Sequence, residues 1–305
     1  ITIGSLLARF AIAFVFLTAF YKARYLSIYQ YLATRFGSQS HYSAAVFFLL
    51  SRILASAVRL MIASTGLHII LGIPFIWTMI AFALLCLVYA GIGGIRAVIW
   101  TDCIQAIVFL TAGLVMLVVL QDLVGWGTIF EAGKESGQLE IFQWTAKEGI
   151  LKDSNWFFLA MVFGFLSTLA SLGTDHDFTQ RLLTCKKVED SRRSIILSGF
   201  VALPVASLFL MIGVGLFVYY SQVATITGLP LNEFGEVASD KVFPHFIASV
   251  LPAGLRGLLL CGVLAAAMSS LDSAMAALSS SIVVDLYSPF LKDPTDTKKQ
   301  VWIAR

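Results

Sequence analysis

A polar cluster interrupts the apolar run LAAAMSSLDSAMAALSSS at 264–281. Its small and hydroxyl residues recur at the i, i+3, i+4, i+7 spacing of one helical face: Ala266, Ser269, Ser270 and Ser273. Asp272 lies on the shoulder of that face, and a carboxylate at bilayer depth costs at least about 2.5–3.5 kcal/mol unless it is paired. These hard oxygen ligands indicate an alkali or alkaline-earth cation site. The alternative is close helix packing, with each hydroxyl bonded to its own backbone.

Two arginines lie on one helical face of the apolar segment FLLSRILASAVRLMIASTG. Arg52 is close enough to one end of the segment for us to expect its side chain to reach water. Arg59 is near the middle, where it should face a carboxylate, an aqueous cavity or an anionic group of a substrate. Arg59 is therefore a candidate solute contact.

The stretch YAGIGGIRAVIWTDCIQ joins two apolar segments and contains an aspartate. The pair Gly93 and Gly94 predicts a helix break, and Asp102 is placed to cap the helix that restarts after it. Capping alone would account for this aspartate. The other interpretation is that its second oxygen reaches a cation shared with the serine face of 264–281.

Three further polar residues share an i, i+3, i+7 spacing: Thr168, Ser171 and Asp175. On one continuous helix this spacing places them on the same face. They form either a polar pathway through the membrane or an ordinary hydroxyl packing surface. The spacing alone leaves both interpretations open.

The composition is that of an all-α membrane protein. Of 305 residues, 58% are hydrophobic and 13% are charged, and the mean hydropathy is +0.86. Soluble domains have about 45–50% apolar and about 25% charged residues. Seven segments are long enough to span a bilayer, which takes roughly 20 residues: 2–21, 44–70, 75–95, 103–121, 156–174, 194–220 and 254–285. The last is long enough to require tilting or projection beyond the bilayer.

Loop charges predict how these segments are oriented. Lys and Arg are concentrated in 22–35 and 175–193, whereas acidic residues outnumber basic ones in 122–155 and 221–253. Under the positive-inside rule, 175–193 is a cytoplasmic loop and the other two long loops are extracellular. Each extracellular loop has room for a short amphipathic helix. We expect 1–305 to be a single transmembrane transporter domain.

Four stretches carry a resemblance to a known family: YQYLATRFG at 29–37, GGIRAVIWTDCIQ at 93–105, TDHDFTQRLLTC at 174–185 and LPAGLRGLLLCGVLAAAMSSLDSA at 251–274. In this order and spacing, the chain resembles the sodium:solute symporter family. The resemblance implies a five-plus-five inverted-repeat bundle with broken helices around a midplane site. It also implies that the first, ninth and tenth core helices lie outside this sequence, so we expect the chain to be a fragment.

The resemblance also implies sodium ligands. The family's main Na⁺ site falls on the Ala266 carbonyl and the Ser269 and Ser270 hydroxyls. A second Na⁺ site, present in some members, falls on Asp102, Ser269, Asp272 and Ser273. Some relatives have a hydroxyl residue where this chain has Asp272, which implies a more anionic or proton-sensitive second site.

Substrate contacts are implied in the same way. The polar positions of the family's sixth core helix fall near Thr168 and Ser171. In the family that the chain resembles, some carriers of carboxylated sugars place an arginine on the third core helix, a role that Arg59 can fill. An anionic solute, such as a sialic acid or a monocarboxylate, is thereby favoured, with sugars and amino acids left open.

The predicted function is Na⁺-coupled uptake of a small organic solute by alternating access, in the plasma membrane (the inner membrane in bacteria). The expected partners are Na⁺, the solute and the lipid bilayer, with no nucleic acid. No nucleophile–base pair, phosphate-binding glycine loop or metal cluster points to an enzyme. One rival is a sensor in which the transporter fold is fused to a cytoplasmic signalling domain. A seven-helix receptor fits the loop motifs less well.

Overall fold

A computed structural model describes residues 1–23, 27–137, 139, 142–146, 149, 152–223 and 237–287. These residues form α1 (Thr2–Ala11), α2 (Leu17–Ala23), α3 (Ile28–Phe36), α4 (Ser38–Leu71), α5 (Phe75–Val124), α6 (Trp126–Glu135), α7 (Phe157–Gly173), α8 (His176–Leu183), α9 (Val188–Val218), α10 (Ser239–Val250) and α11 (Ala253–Ser281). Three π-helical segments extend or join them: Ile12–Phe16, Tyr219–Val223 and Ile282–Tyr287. One isolated β-bridge joins Gln143 and Trp156.

Within the described ranges, five helical runs are long and apolar enough to cross a membrane: Thr2–Lys22, Ser38–Leu71, Val98–Val124, Val188–Gln222 and Ala253–Tyr287. A sixth candidate span is α7 followed by α8, a pair bent by 63°. The apolar helix Phe75–Val88 is shorter. Each of the seven predicted segments falls on one of these helices, and the predicted all-α membrane architecture is confirmed.

Helix α5 contradicts one prediction, because it runs without interruption from Phe75 to Val124. The break expected at Gly93 and Gly94 does not occur, and Asp102 is an interior residue of α5 and not the cap of a new helix. Glycine costs only about 1 kcal/mol in a helix interior. An unpaired backbone group in lipid costs several kcal/mol, which favours a continuous helix.

The chain does break between α7 and α8. Asp175 has an extended backbone and caps α8, where its Oδ1 accepts a hydrogen bond from the Asp177 backbone N–H at 3.0 Å. The prediction that Asp175 continues the helical face of Thr168 and Ser171 is therefore wrong. A short polar side chain that bonds the backbone of the next turn favours a helix start over a helix interior.

Small residues set the helix crossing that positions the candidate site. Gly262 on α11 packs against α5, where a Cβ on this residue would lie 2.5 Å from the Cβ of Ala112. A larger side chain would push the two helices apart. At a second crossing, Gly4 on α1 faces the carbonyl of Met161 on α7, where a Cβ would also clash.

Short helices occupy both of the predicted extracellular loops. Helix α6 lies within 122–155 and α10 within 221–253. Helix α10 packs against α4 and contributes Phe246 and Ile247 to the largest buried apolar cluster. These loops therefore form part of the packed structure at one end of the bundle.

Candidate cation site

The centre of the candidate site is a contact between α5 and α11. The Ser269 hydroxyl on α11 donates a hydrogen bond to Oδ1 of Asp102 on α5, at 2.6 Å. The structure thus brings together two residues that are far apart in the sequence and that were both expected to contact one cation. Asp102 retains a second oxygen, which faces a different partner.

Asp272 lies beside this contact and is fully buried, with 0% exposure. Neither of its carboxylate oxygens makes a hydrogen bond of normal geometry. Gln105 on α5 makes a side-chain hydrogen bond to it that falls outside normal geometry, and the charges of Asp102 and Arg181 interact with it electrostatically. A buried carboxylate without a hydrogen bond is costly, so this position is suited to a positively charged ligand.

The remaining serines of the predicted face bond to their own helix. Ser270 Oγ donates to the Ala267 carbonyl at 3.0 Å, and Ser273 Oγ donates to the Ser269 carbonyl at 2.7 Å. This is the backbone bonding that the packing interpretation anticipates. Each hydroxyl oxygen still has lone pairs, which leaves it able to contact a cation. Ala266 is exposed on the same helix.

Arg181 on α8 supplies the second partner of Asp102. Its Nη1 lies 2.8 Å from Asp102 Oδ2, and its Nε lies 3.8 Å from Oδ1 of Asp177. Asp102 Oδ2 accepts no hydrogen bond of normal angle, so this contact is an ion pair by distance only. Sequence reasoning treated Arg181 only as a loop charge. The i, i+4 spacing from Asp177 was the available signal that Arg181 belongs to a charged helix face.

Arg52 contradicts the expectation that it reaches water. It is 6% exposed, and its Nη1 donates to Oδ2 of Asp175 at 3.2 Å. Its Nη2 pairs with Oδ2 of Asp177. The two carboxylates at the start of α8 neutralise the guanidinium inside the bundle, which removes the need for it to extend to the surface. Arg52 therefore ties α4 to α8.

No polar contact among the described residues joins Arg59 to the other two predicted solute residues, Thr168 and Ser171. Arg59 is partly buried, and its Nη1 makes no hydrogen bond. In the described part of the chain, no carboxylate forms an ion pair with Arg59. Ser171 Oγ lies 3.5 Å from the Thr168 carbonyl on the same helix. No hydrogen bond among the described residues joins Arg59 to either hydroxyl residue.

A second buried polar cluster surrounds Asp285 in the π-helical end of the last span. Asp285 Oδ2 accepts hydrogen bonds from Ser27 and Ser281, each at 2.9 Å. Its Oδ1 lies 3.0 Å from Nε2 of His41. This cluster joins the start of α3, the start of α4 and the end of α11. Sequence reasoning missed it because its members share no motif.

A cavity of about 580 Å³ lies between the first span, α3, α4 and the end of α7. Its walls are mainly aromatic and aliphatic, with Tyr29, Thr174 and Asp175 among the polar lining residues. Burial and the neighbouring Asp175 raise the pKa of the Tyr29 phenol, which keeps it neutral. Arg59, Thr168 and Ser171 do not line this cavity.

Comparison with known proteins identifies relatives along the whole chain. The family model described as "Sodium:solute symporter family" matches residues 1–305. The sodium/sialic acid symporter SiaT of Proteus mirabilis is 27% identical over 313 residues, which cover 99% of this chain and 60% of that protein. The sodium/glucose cotransporter of Vibrio parahaemolyticus is 25% identical, and the match covers 95% of this chain and 55% of that protein.

A solved structure matches the fold as well. It shows a Na⁺-coupled sialic acid symporter in a substrate-bound, outward-open state, with a TM-score of 0.88 and 26% identity. The match covers 99% of this chain and 62% of that protein. The chain thus spans 55–62% of the length of these three relatives. The family resemblance drawn from four sequence stretches is confirmed.

Proposed function

Because the chain belongs to the sodium:solute symporter family, we propose that the protein couples inward Na⁺ movement to uptake of a small organic solute. The observation that supports this most directly is the pairing of Ser269 with Asp102 beside the buried carboxylate of Asp272, which has no hydrogen bond of normal geometry. These oxygens lie where α5 and α11 cross inside membrane-spanning helices. A monovalent cation at this crossing would offset the cost of burying the carboxylates.

We assign two Na⁺ sites to α11 and its neighbours. The main site uses the Ala266 carbonyl with the Ser269 and Ser270 hydroxyls. The second site takes its ligands from both helices: Asp102, Ser269, Asp272 and Ser273. Burial of Asp272 and Ser273 supports the second site, because a dehydrated cation needs fixed oxygens in place of water.

The solute that we propose is a carboxylated small molecule, with Arg59 as its charge partner. The free Nη1 of Arg59 and the lack of an ion pair to it in the described residues support this role. By contrast, Arg52 on the same helix forms ion pairs with Asp175 and Asp177, although its buried Nε makes no hydrogen bond. Thr168 and Ser171 on α7 are assigned to the solute's polar groups. The sialic acid symporters among the relatives transport a carboxylated sugar.

The positions of these residues explain how Na⁺ binding is coupled to solute binding. A cation held between α5 and α11 strengthens the contact between two helices that the Ser269–Asp102 hydrogen bond already joins at this point. Stabilising one arrangement of the bundle raises the affinity of that arrangement for the solute. The effect is reciprocal and typically worth 1–3 kcal/mol.

The chain is a multi-pass membrane protein, and we propose the plasma membrane, in bacteria the inner membrane, as its location. The 122–155 and 221–253 loops are assigned to the outside and the 175–193 loop to the cytoplasm. The excess of Lys and Arg in 175–193 supports this orientation. Labelling of engineered Ser136→Cys and Lys187→Cys variants by a membrane-impermeant thiol reagent, with the four native cysteines replaced, would test it directly.

Uptake into proteoliposomes tests the function. The full-length protein should accumulate a carboxylated solute when an inward Na⁺ gradient is imposed, and Ser270→Ala should abolish the accumulation. Ser207→Ala is the matched control, because Ser207 also lies in a membrane span and bonds its own backbone, at 3.0 Å from the Leu203 carbonyl. Uptake by this control should match that of the wild type.

Two outcomes would contradict the proposal. Solute accumulation that is independent of Na⁺ would exclude sodium coupling. Absence of accumulation for every solute and cation gradient would instead favour the sensor interpretation, and the serine face of α11 would then be a packing surface.

A further inference from the structure

We propose that Arg181 is a tethered competitor of the cation at Asp102. Its guanidinium neutralises Asp102 when the second Na⁺ site is empty, and a bound cation displaces it towards Asp177. This inference rests on the proposed Na⁺ coupling, and it adds a residue that sets the affinity of the site without touching the ion.

The contact geometry fits an exchangeable pair. Arg181 Nη1 lies 2.8 Å from Asp102 Oδ2, but this oxygen accepts no hydrogen bond of normal angle. The Nε of Arg181 is buried and also makes no hydrogen bond. By comparison, Asp102 Oδ1 holds a short hydrogen bond of 2.6 Å from Ser269. Asp102 is therefore fixed by Ser269 on one side, and it is held on the other side by attraction that a small cation can replace.

An alternative acceptor is already within reach of Arg181. Oδ1 of Asp177 lies 3.8 Å from Arg181 Nε, one helical turn away on the same helix. A rotation of the Arg181 side chain is enough to tighten this contact, and α8 does not have to move. The side chain is 27% exposed, which leaves it room to turn.

The charges next to Asp102 leave a role for a cation. Arg181 lies within ion-pair distance of Asp102, and Asp272 adds a second buried carboxylate that interacts electrostatically with both residues. One guanidinium does not balance two carboxylates, and a monovalent cation would make up the difference.

The exchange would also connect the cation site to α4. Asp177 accepts Arg52 of α4 through its Oδ2, while its Oδ1 faces Arg181. When Arg181 turns to Asp177, this carboxylate holds two guanidinium groups. Cation binding between α5 and α11 thereby changes the ion pair between α4 and α8. The effect passes from Asp102 to Arg181, from Arg181 to Asp177, and from Asp177 to Arg52.

The test measures Na⁺ affinity in the purified full-length protein without solute, from the rise of its melting temperature with Na⁺ at constant ionic strength in choline chloride. Na⁺ should begin to raise the melting temperature of Arg181→Gln at an about tenfold lower concentration than that of the wild type, because a partly exposed competing charge has been removed. Arg181→Lys has a shorter side chain and should give an about threefold decrease. Arg193→Gln removes an exposed charge from the same loop and should equal the wild type.

A double variant shows whether Arg181 acts through Asp102. In an Asp102→Asn background, Arg181→Gln should give a much smaller gain in Na⁺ affinity, because only the longer-range interaction of Arg181 with Asp272 is left to remove. Unchanged or weaker Na⁺ affinity in both Arg181 variants would overturn the proposal, since a merely structural arginine cannot raise affinity when it is removed. An equal gain in the Asp102→Asn background would overturn it as well. If the melting temperature of the wild type does not change with Na⁺ concentration, the proposed function itself is contradicted.

Discussion

Two aspartates on the final membrane span, Ala253–Tyr287, are buried to the same extent but differ in their hydrogen bonds. Asp272 and Asp285 both have 0% exposure. Asp285 has three polar partners at 2.9–3.0 Å, one each from α3, α4 and its own helix. Asp272 has no hydrogen bond of normal geometry.

The difference separates a structural carboxylate from one that is free to bind a ligand. A buried carboxylate that is fully hydrogen-bonded contributes to the fold, and removing it leaves its partners unsatisfied. A buried carboxylate without bonds raises the energy of the empty protein and is stabilised only when something charged binds. The two positions should therefore respond in opposite ways to substitution.

The largest effect is expected at Asp285. Asp285→Ala should destabilise the folded protein by about 3–5 kcal/mol, because it leaves His41, Ser27 and Ser281 buried without their shared acceptor. A lowered melting temperature in detergent, equal with and without Na⁺, is the expected measurement. Asp240→Ala, an exposed carboxylate in the first turn of α10, is the control and should change little.

A loss of Na⁺ response in Asp285→Ala with unchanged stability would reverse the comparison. The Asp285 cluster would then be the ligand site, and the hydrogen bonds to it would be incidental.

The Asp272 region could be predicted from the sequence, whereas the cluster around Asp285 could not. The Asp272 region was found from sequence because a charge in an apolar run stands out locally, and because the serine spacing marks one helix face. Asp285 follows the apolar run closely and shows no such contrast. Two of its partners, Ser27 and His41, lie 258 and 244 residues earlier in the chain.

Long-range ion pairs were unpredictable for the same reason. Periodicity reports which residues share a helix face, but it does not report which face of another helix lies opposite. Arg52 was expected to reach water because its position along α4 is visible in the sequence, whereas Asp175 is not. The uninterrupted helix α5 was missed because glycine propensity is a local quantity, which backbone bonding in the membrane overrides.

The second largest effect is expected at Asp272. Asp272→Ser should leave the stability in Na⁺-free buffer unchanged or slightly higher, because an unsatisfied buried charge is removed. It should weaken Na⁺ binding about thirtyfold, or about 2 kcal/mol, since one anionic ligand of the second site is lost. The measurement is the Na⁺ dependence of the melting temperature.

Asp272→Asn sharpens this result, because the amide keeps the shape and one acceptor oxygen while the charge is lost. We expect Na⁺ affinity to fall in this variant as it does in Asp272→Ser. Full Na⁺ affinity in both variants would mean that the buried carboxylate serves no cation, and its contrast with Asp285 would need another cause.

The smallest effect is expected at Arg59, which extends the comparison from anions to a cation. Arg52 has two carboxylate partners and Arg59 has none among the described residues. By the argument applied to the two aspartates, the unpaired arginine should bind a ligand, whereas the paired one should support the fold. Arg59→Gln should therefore raise the KM for a carboxylated solute about tenfold, or about 1.4 kcal/mol, through loss of one charge-assisted contact. Its half-saturating Na⁺ concentration and melting temperature should stay those of the wild type.

Arg59→Lys keeps the charge and should recover part of the affinity for the carboxylated solute. A neutral analogue of the solute should be transported equally by the wild type and both Arg59 variants. A parallel loss of Na⁺ affinity would instead assign Arg59 to the charge balance of the cluster around Asp175, with no role in reading the solute.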